Sequence, residues 1–534
     1  MNDRAPLISP ARLGEPTAPG LAPSAPDFGD TYHPGTDAWA QAQQVFLAGN
    51  GLPARWRGRT HFVILETGFG LGNNFLATWS AWRDDPQRCN RLTFISIEKH
   101  PLRKADLADV HSLVAPHGAA GLSPEDANRQ ALAHKLHDLW PPLTPGWHHL
   151  MVDAQRGPLG QSQHVHLMLG LGDIADLLPS LMASVDAFYL DGFKPAANPE
   201  MWAPELLSRL NRLAAAGATA ATWSAARVVR DALSTAQFEV RKVPGLGGKF
   251  HTTEARFSPR FTPPAPAGGL WPPTPVVHQH ALVIGAGLAG CSATWSLARQ
   301  GWRVTLLDAA PGPAQGASGN PGGLFHSIVH GDDGLHARAH RAAALATWAR
   351  VHEAISRGDL PGQCQGLLRL DARQDAASAQ TMLTRQPWLA EQARWLTQAE
   401  AQALAGIPVP SGGWHFLQAG WLQPGAYARW LLAEAHQQSS DAVKTHWSCT
   451  VARIQHDEAR GLWQALDAHH RLLAEAPSLV LANAWQAQRL LDTLPASQAT
   501  APWPMSAVRG QITCLPAMGS PDAPPHIALP HLPV

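Results

Sequence analysis

The sequence predicts two α/β units in tandem, a doubly wound parallel sheet followed by a Rossmann-type unit. Three observations lead there. At 534 residues the chain is too long for one core, since single cores stop growing at about 250 to 300 residues. Two runs of strand, glycine turn, helix and strand begin near residues 61 and 281. Between them lies 261–277, FTPPAPAGGLWPPTPVV, whose six prolines and two glycines sustain neither helix nor central strand and read as a linker.

Residues 1–27 are rich in Pro, Ala and Gly without periodicity, which predicts a mobile or surface-draped arm. The first domain is then expected over 28–260. HFVILE (61–66) reads as a buried strand, GFGLGNN (68–74) as a turn, FLATWSAW (75–82) as a helix and LTFISIE (92–98) as the next strand. Further strands are expected at HVHLMLG (164–170), VDAFYLD (185–191), ATAATWS (218–224) and FEVRKVPG (238–245). Strands alternating with helical stretches call for a parallel sheet.

Composition removes several classes. Apolar residues make up 45% and charged residues 15%, the balance of a folded soluble chain. Lys plus Arg equals Asp plus Glu at 41 each, so any attraction for a phosphate backbone has to be local. The five cysteines, Cys89, Cys291, Cys364, Cys449 and Cys514, are odd in number and form no CxxC pair. That suits a reducing compartment and argues against a disulfide framework or a thiolate metal site. The opening MNDRAPLISPARLGEPTAPG has no apolar core of a leader, and no apolar run approaches the ~18 residues that span a bilayer. A cytoplasmic location is expected. No feature sets an oligomeric state, and the default expectation is a monomer.

In the second domain, expected over 278–534, the strand ALVI (281–284) runs into Gly285-Ala286-Gly287-Leu288-Ala289-Gly290, and a helix follows to about Gln300. Gly285 permits the tight turn, Gly287 lets backbone approach a pyrophosphate, and Gly290 allows close helix-to-strand packing. The helix N-terminus adds N–H donors, Leu288 among them. Asp308 ends the next strand, 18 residues beyond Gly290, where a carboxylate can accept from ribose hydroxyls. A bare βα turn is the bland alternative; the full strand-turn-helix-strand-acid context favours a dinucleotide. Gly316-Ala317-Ser318-Gly319-Asn320 resembles the flavin-contacting segment of the D-amino-acid-oxidase and glycine-oxidase family, and SLVLANA (478–484) its third nucleotide-side strand. The resemblance implies FAD, with Ala317, Ser318, Gly319 and Asn320 along it.

The first loop, Glu66-Thr67-Gly68-Phe69-Gly70-Leu71-Gly72, has no GK[ST] and so nothing to hold a triphosphate. An acid followed by alternating glycines suits a class I methyltransferase-like sheet, with the amino-acid tail of S-adenosyl-L-methionine over Gly68, Gly70 and Gly72. Glu98 can bind the ribose hydroxyls and Asp173 the adenine amino group. Each acid alone reads as a solvated loop carboxylate, but Glu66, Glu98 and Asp173 all fall at carboxyl ends of strands, where open α/β sheets bind ligands. Asp191, ending the fourth strand, can take the proton from an acceptor ammonium, or merely cap the helix near MWAPELLSRL.

Three strings, ETGFGLGNNF (66–75), DGFKPAANPEMW (191–202) and VIGAGLAG (283–290) followed by GASGN (316–320), together resemble the bacterial bifunctional tRNA 5-methylaminomethyl-2-thiouridine biosynthesis family. FGDTYH (28–33) and VFLAGN (45–50) extend the resemblance to nearly the whole chain from Asp30. It implies two consecutive activities on a tRNA wobble uridine. An FAD-dependent oxidoreductase removes the carboxymethyl group from 5-carboxymethylaminomethyl-(2-thio)uridine, and a methyltransferase N-methylates the aminomethyl group that remains. No Ser-His-Asp or Cys-His set is evident, and none is needed where a flavin carries the oxidation. No metal is expected either: His148-His149 and His469-His470 read as surface or loop residues.

The chain departs from the family pattern twice. Family members often carry a lysine before the Asn-Pro pair where this chain has Ala197, while a lysine stands at Lys194. The chain also ends at Val534, soon after VRGQIT (508–513), where relatives continue, so the flavin domain is expected to be truncated and its oxidase half incomplete. Arg227, Arg230, Arg241, Lys242 and Lys249 are candidates for RNA phosphate contact or an ordinary basic face. Two rival functions stay open: a small-molecule N-methyltransferase fused to a glycine-oxidase-like amine oxidase, and a methyltransferase carrying a non-catalytic flavin-like docking domain.

Overall fold

The computed structural model describes residues 8–16, 22–33, 38–113, 123–157, 162–245, 251–260, 279–438 and 442–495, with 504, 506–508 and 510. The linker expected over 261–277, Lys249 and most of VRGQIT lie outside the described residues. These residues form two compact units, one running to residue 260 and taking in 331–338 and 381–392, the other holding the remainder from 279. Among the described residues no helix is long and apolar enough to cross a membrane.

The first unit is an eight-stranded sheet. Its strands are β1 His61–Glu66, β2 Arg91–Glu98, β3 Gly146–Arg156 and β4 Ser162–Leu171, then β5 Val185–Tyr189, β6 Ala214–Thr222, β7 Phe238–Pro244 and β8 His251–Phe257. They lie in the order β3-β4-β2-β1-β5-β6-β8-β7. The central strands β4, β2, β1, β5 and β6 are parallel, and β1 and β5 are almost wholly buried, which is why they read as unbroken apolar runs. The wholly parallel sheet expected from the sequence needs correcting at its flanks: β3 pairs antiparallel with β4, and β8 lies antiparallel between β6 and β7. Both arise from short connections, 157–161 and 245–250, which can reverse the chain but cannot carry the crossover helix that a parallel neighbour requires.

Helix α1, Asn73–Asp84, follows β1 through the glycine turn and buries Phe75, Leu76, Trp79 and Trp82. The described part of 1–27 does not stand free of this unit. Ile8 and Ala11 are buried, and the Ser9 and Ala11 N–H groups donate to the carbonyls of Lys99 and Pro101 just beyond β2. The compact unit therefore begins upstream of residue 28.

The second unit carries a parallel sheet of β9 His280–Ile284, β10 Arg303–Leu307, β11 Val443–His446 and β12 Ser478–Leu481 in the order β11-β10-β9-β12. Helix α2, Leu288–Arg299, packs with α3, Pro424–Gln438, through Cys291, Trp295, Ala428, Leu431 and Leu432. Three small antiparallel sheets and further helices, the longest Leu335–Ser356, make up the rest of the described part, one sheet joining Leu367–Leu370, Gly413–Phe416 and Ala393–Leu396.

One buried carboxylate fixes the relation of β1 to β5, whose carboxyl ends carry Glu66 and Asp191. Asp186 Oδ2 accepts the Val63 N–H at 2.9 Å, and its Oδ1 meets Arg59 Nη1 at 2.9 Å. The register between β5 and β6 shifts at this residue. Asp186→Ala leaves the Val63 N–H without that partner, and the expected loss is about 1 to 3 kcal/mol in urea unfolding. A change below about 0.5 kcal/mol would place the alignment elsewhere.

Candidate active site

The carboxyl ends of β1, β2, β4, β5 and β6 open onto a cavity of about 740 Å³ lined by Gly68, Gly70, Asn74, Glu98, Asp173, Asp191 and Trp223 among others. The β1–α1 turn works because Gly72, at φ +76°, adopts a left-handed conformation that a side chain resists, and a Cβ there would also press on the Phe69 ring at 2.9 Å. Gly70 faces Glu98: its N–H donates to Glu98 Oε2 at 2.9 Å, while the His100 N–H donates to Oε1 at 2.7 Å. Each carboxylate oxygen has a second lone pair, which suits a ribose diol. Asp173 caps the short helix Ile174–Leu177 through the Ala175 N–H and binds Lys99 Nζ at 2.8 Å. Burial would raise its carboxyl, but Lys99 and the Ala175 N–H outweigh burial and hold it below the usual range.

Not all the predicted residues reach the cavity. Glu66 lies beneath the glycine turn, fully buried, and neither it nor Gly72 is part of the lining. Its partners are Ser96 Oγ at 2.7 Å and Asn74 Nδ2 at 2.9 Å. Burial above all pushes the Glu66 carboxyl well above the ordinary range, with a further push from Asp191. Glu66 thus holds the loop from below.

Asp191 does line the cavity, and burial raises its carboxyl against three donors that lower it. Those donors are the Gly192 N–H at 2.8 Å, Asn74 Nδ2 at 2.7 Å and Trp223 Nε1 at 3.0 Å. Part of the cavity lining is aromatic: Phe28 stacks on Phe193 with centroids 4.4 Å apart, and Tyr32 meets Phe193 edge-on at 5.3 Å. Lys194 is held by Asp30 and the Gly29 carbonyl, so it anchors the 28–33 segment to this wall. Sequence reading missed Asn74, Trp223 and this aromatic wall. Trp223 had a signal, since it follows a strand at the ligand-binding end of the sheet.

In the second unit the predicted loop closes on itself as a nucleotide turn. Gly285, at φ +102°, runs so close to β12 that a Cβ would sit 2.7 Å from the Ala482 carbonyl, and a Cβ on Gly290 would overlap the Gly285 carbonyl oxygen. Asp308 accepts the Ala286 N–H at 2.5 Å and the Ala310 N–H at 2.8 Å. Ala317–Gly319 form a single helical turn, and Ser318 Oγ accepts the Leu288 N–H at 3.0 Å beside Gly287. Asn320 lies away from this turn's core, on a small cleft with Gln423 and Arg429. The buried Oδ1 of Asn483, a residue whose backbone nitrogen lies beside Gly285, has no hydrogen-bond partner among the described residues. The glycine turn, the N-terminus of the twelve-residue helix α2 and the unpartnered Asn483 acceptor fit the nucleotide half of FAD.

Three of the basic residues singled out from the sequence have partners, while Lys242 is exposed. Arg227 pairs with Asp231 at 3.3 Å and Arg241 with Glu254 at 2.6 Å, while Arg230 reaches the Ala225 carbonyl. His148 and His149 sit in the edge strand β3, where His149 Nδ1 lies 3.3 Å from His166 Nε2. Among the described residues no group of three or more His, Cys, Asp or Glu side chains is placed to hold a metal.

Comparison with known proteins divides the chain in the same way. A family model described as S-adenosyl-L-methionine-dependent methyltransferase matches residues 134–258, and one described as FAD dependent oxidoreductase matches 280–533. The tRNA 5-methylaminomethyl-2-thiouridine biosynthesis bifunctional protein MnmC of Methylibium petroleiphilum is 50% identical over 527 residues, covering 99% of this chain and 75% of that protein. The protein of the same name from Cupriavidus necator is 44% identical, covering 94% and 72%. The crystal structure of MNMC2 from Aquifex aeolicus aligns at 21% identity and a TM-score of 0.34, over 47% of this chain and 71% of that one.

The two buried features make separate predictions. A raised folded-state pKa for an acid means stability is present in full below its unfolded value, near 4.3, and is lost as pH rises through the folded value. Glu66→Gln keeps an acceptor for Asn74 and removes this loss, so thermal unfolding of the variant should gain on the wild type as pH rises from 5 to 8, about a unit above that reference onward. A pH-independent difference contradicts the assignment. In the second unit, Gly290→Ala should lower the flavin-to-protein absorbance ratio of the purified chain, and an unchanged ratio contradicts the reading of the turn.

Proposed function

Because the chain belongs to the family of bifunctional tRNA 5-methylaminomethyl-2-thiouridine biosynthesis proteins, we propose that it modifies a tRNA wobble uridine in two consecutive steps, in the cytoplasm. The second unit uses FAD and the first uses S-adenosyl-L-methionine. FAD, when bound, would supply the two-electron acceptor for oxidation of the carboxymethyl carbon beside the nitrogen of 5-carboxymethylaminomethyl-(2-thio)uridine, and hydrolysis would release that two-carbon unit as glyoxylate and leave the primary aminomethyl group. The residues that would hold FAD are the Gly285 to Leu288 backbone, Asp308, and Ser318 with its neighbours Ala317 and Gly319.

The methyl-transfer half is the better resolved in chemical terms. Gly68 and Gly70 with Glu98 would hold the donor, with Asp173 toward the adenine. The aminomethyl group arrives as an ammonium and needs to lose a proton before its nitrogen can attack the methyl carbon in line. Asp191 is the group for that transfer. It is a half-buried carboxylate at the cavity wall, with a proton affinity raised by its surroundings. That placement is the observation that carries the reading. The aromatic residues Phe28, Tyr32 and Phe193 would offer a face for a flat base.

Incubation of aminomethyl-bearing tRNA with S-adenosyl-L-methionine, followed by nucleoside mass spectrometry, tests the proposal. The wild type should yield the methylaminomethyl nucleoside. Asp191→Asn should bind the donor normally and lose about 10² to 10⁴ in turnover, the usual worth of a general base. Turnover of free amino acids with inert tRNA would instead support a small-molecule enzyme.

A further inference from the structure

The carboxylate of Asp191 has four lone-pair positions, and the structure accounts for three of them. Oδ1 accepts two hydrogens, from the Gly192 N–H and from Trp223 Nε1. Oδ2 accepts one, from Asn74 Nδ2. The orientation of the Asn74 amide is not ambiguous, because its nitrogen lies between two carboxylates, Asp191 Oδ2 at 2.7 Å and Glu66 Oε1 at 2.9 Å, and only the NH₂ end can donate to both. One position therefore remains among the described residues, on Oδ2.

We propose that Asp191 Oδ2 is the proton-accepting atom of the methyl transfer, and that Asn74 and Trp223 are positioning residues that leave it as the single basic site facing the acceptor amine. This rests on the proposed function above. The balance is simple. The primary ammonium gives one proton to Oδ2, and the neutral nitrogen forms a bond to the methyl carbon. The carbon–sulfur bond breaks with its electron pair going to sulfur, and the positive charge passes from sulfur to nitrogen. The carboxyl proton then returns to solvent. Thr67 Oγ, which donates to the Asp191 carbonyl at 2.7 Å, fixes the backbone from which the carboxylate hangs.

The titratable groups facing Asp191 are Glu66 from the end of β1 and His33 from the segment that closes the cavity. Glu66 sits beyond Asn74, so the amide separates a buried acid from a half-buried one as well as aligning the latter. Each donor to the carboxylate favours its charged form, and loss of one raises the pH at which the base becomes available.

Trp223→Phe keeps the ring and removes one donor. The acid limb of the pH–kcat profile for methylation should move up by about one pH unit, the worth of one hydrogen bond to a charged group, with KM for S-adenosyl-L-methionine unchanged. Asn74→Ala releases Oδ2 to rotate, and its kcat on the high-pH plateau should fall about a hundredfold. Calorimetric binding of S-adenosyl-L-methionine reports whether each variant is folded, and Trp223→Phe decides alone if Asn74→Ala is not. An unmoved acid limb in a donor-binding Trp223→Phe overturns the inference while leaving the methyltransferase intact. A wild type that leaves the aminomethyl nucleoside unmethylated overturns the proposed function and the inference with it.

Discussion

A single side-chain amide, that of Asn74, stands where three elements of the first unit meet. It belongs to the first turn of α1, donates to Glu66 at the end of β1, and donates to Asp191 just beyond β5. A fully buried Glu66 beside a half-buried Asp191 cannot be charged cheaply, since burial and the like charge both raise its pKa. The amide resolves the conflict by giving each acid one hydrogen. The glycine turn, the entry of α1 and the orientation of Asp191 follow from that constraint.

The two units solve one problem in parallel ways. In each, a glycine turn after the first strand donates a backbone N–H to the acid that ends the next strand: Gly70 to Glu98 in one, Ala286 to Asp308 in the other. The acid is thereby held at the edge of the turn with lone pairs to spare, suited to the ribose of an adenosyl group in both ligands. The difference lies above the turn. The first unit places Asp191 and aromatic residues there, the groups proposed to serve methyl transfer. The second places Ser318 Oγ on the first N–H of α2, where the proposed site would hold a pyrophosphate.

Much of this was legible in the sequence because central parallel strands are buried on both faces and announce themselves as apolar runs. HFVILE coincides with β1, and Glu98 and Asp308 fall at the expected strand ends. The antiparallel strands β3 and β8 were harder to see, since GWHHLMVDAQR and HTTEARF mix polar and apolar residues in a way that resembles loop sequence. The roles of Asn74 and Trp223 were hidden for another reason. Their shared partner Asp191 lies 117 residues from Asn74 and 32 from Trp223, so no local pattern joins them. Glu66 was visible as an acid of the motif, but its place under the turn depends on Ser96, a residue of the neighbouring strand.

Two sites acting in series on one nucleoside is the central claim, and it is tested most directly by omission. The chain loaded with FAD is given tRNA bearing 5-carboxymethylaminomethyl-2-thiouridine, with and without S-adenosyl-L-methionine, and the nucleosides are followed over time by mass spectrometry. Without the methyl donor the aminomethyl nucleoside should accumulate, and with it the methylaminomethyl product should replace that intermediate. Carboxymethylaminomethyl-2-thiouridine left unchanged in both arms, while aminomethyl tRNA supplied separately is also left unmethylated, would contradict the account.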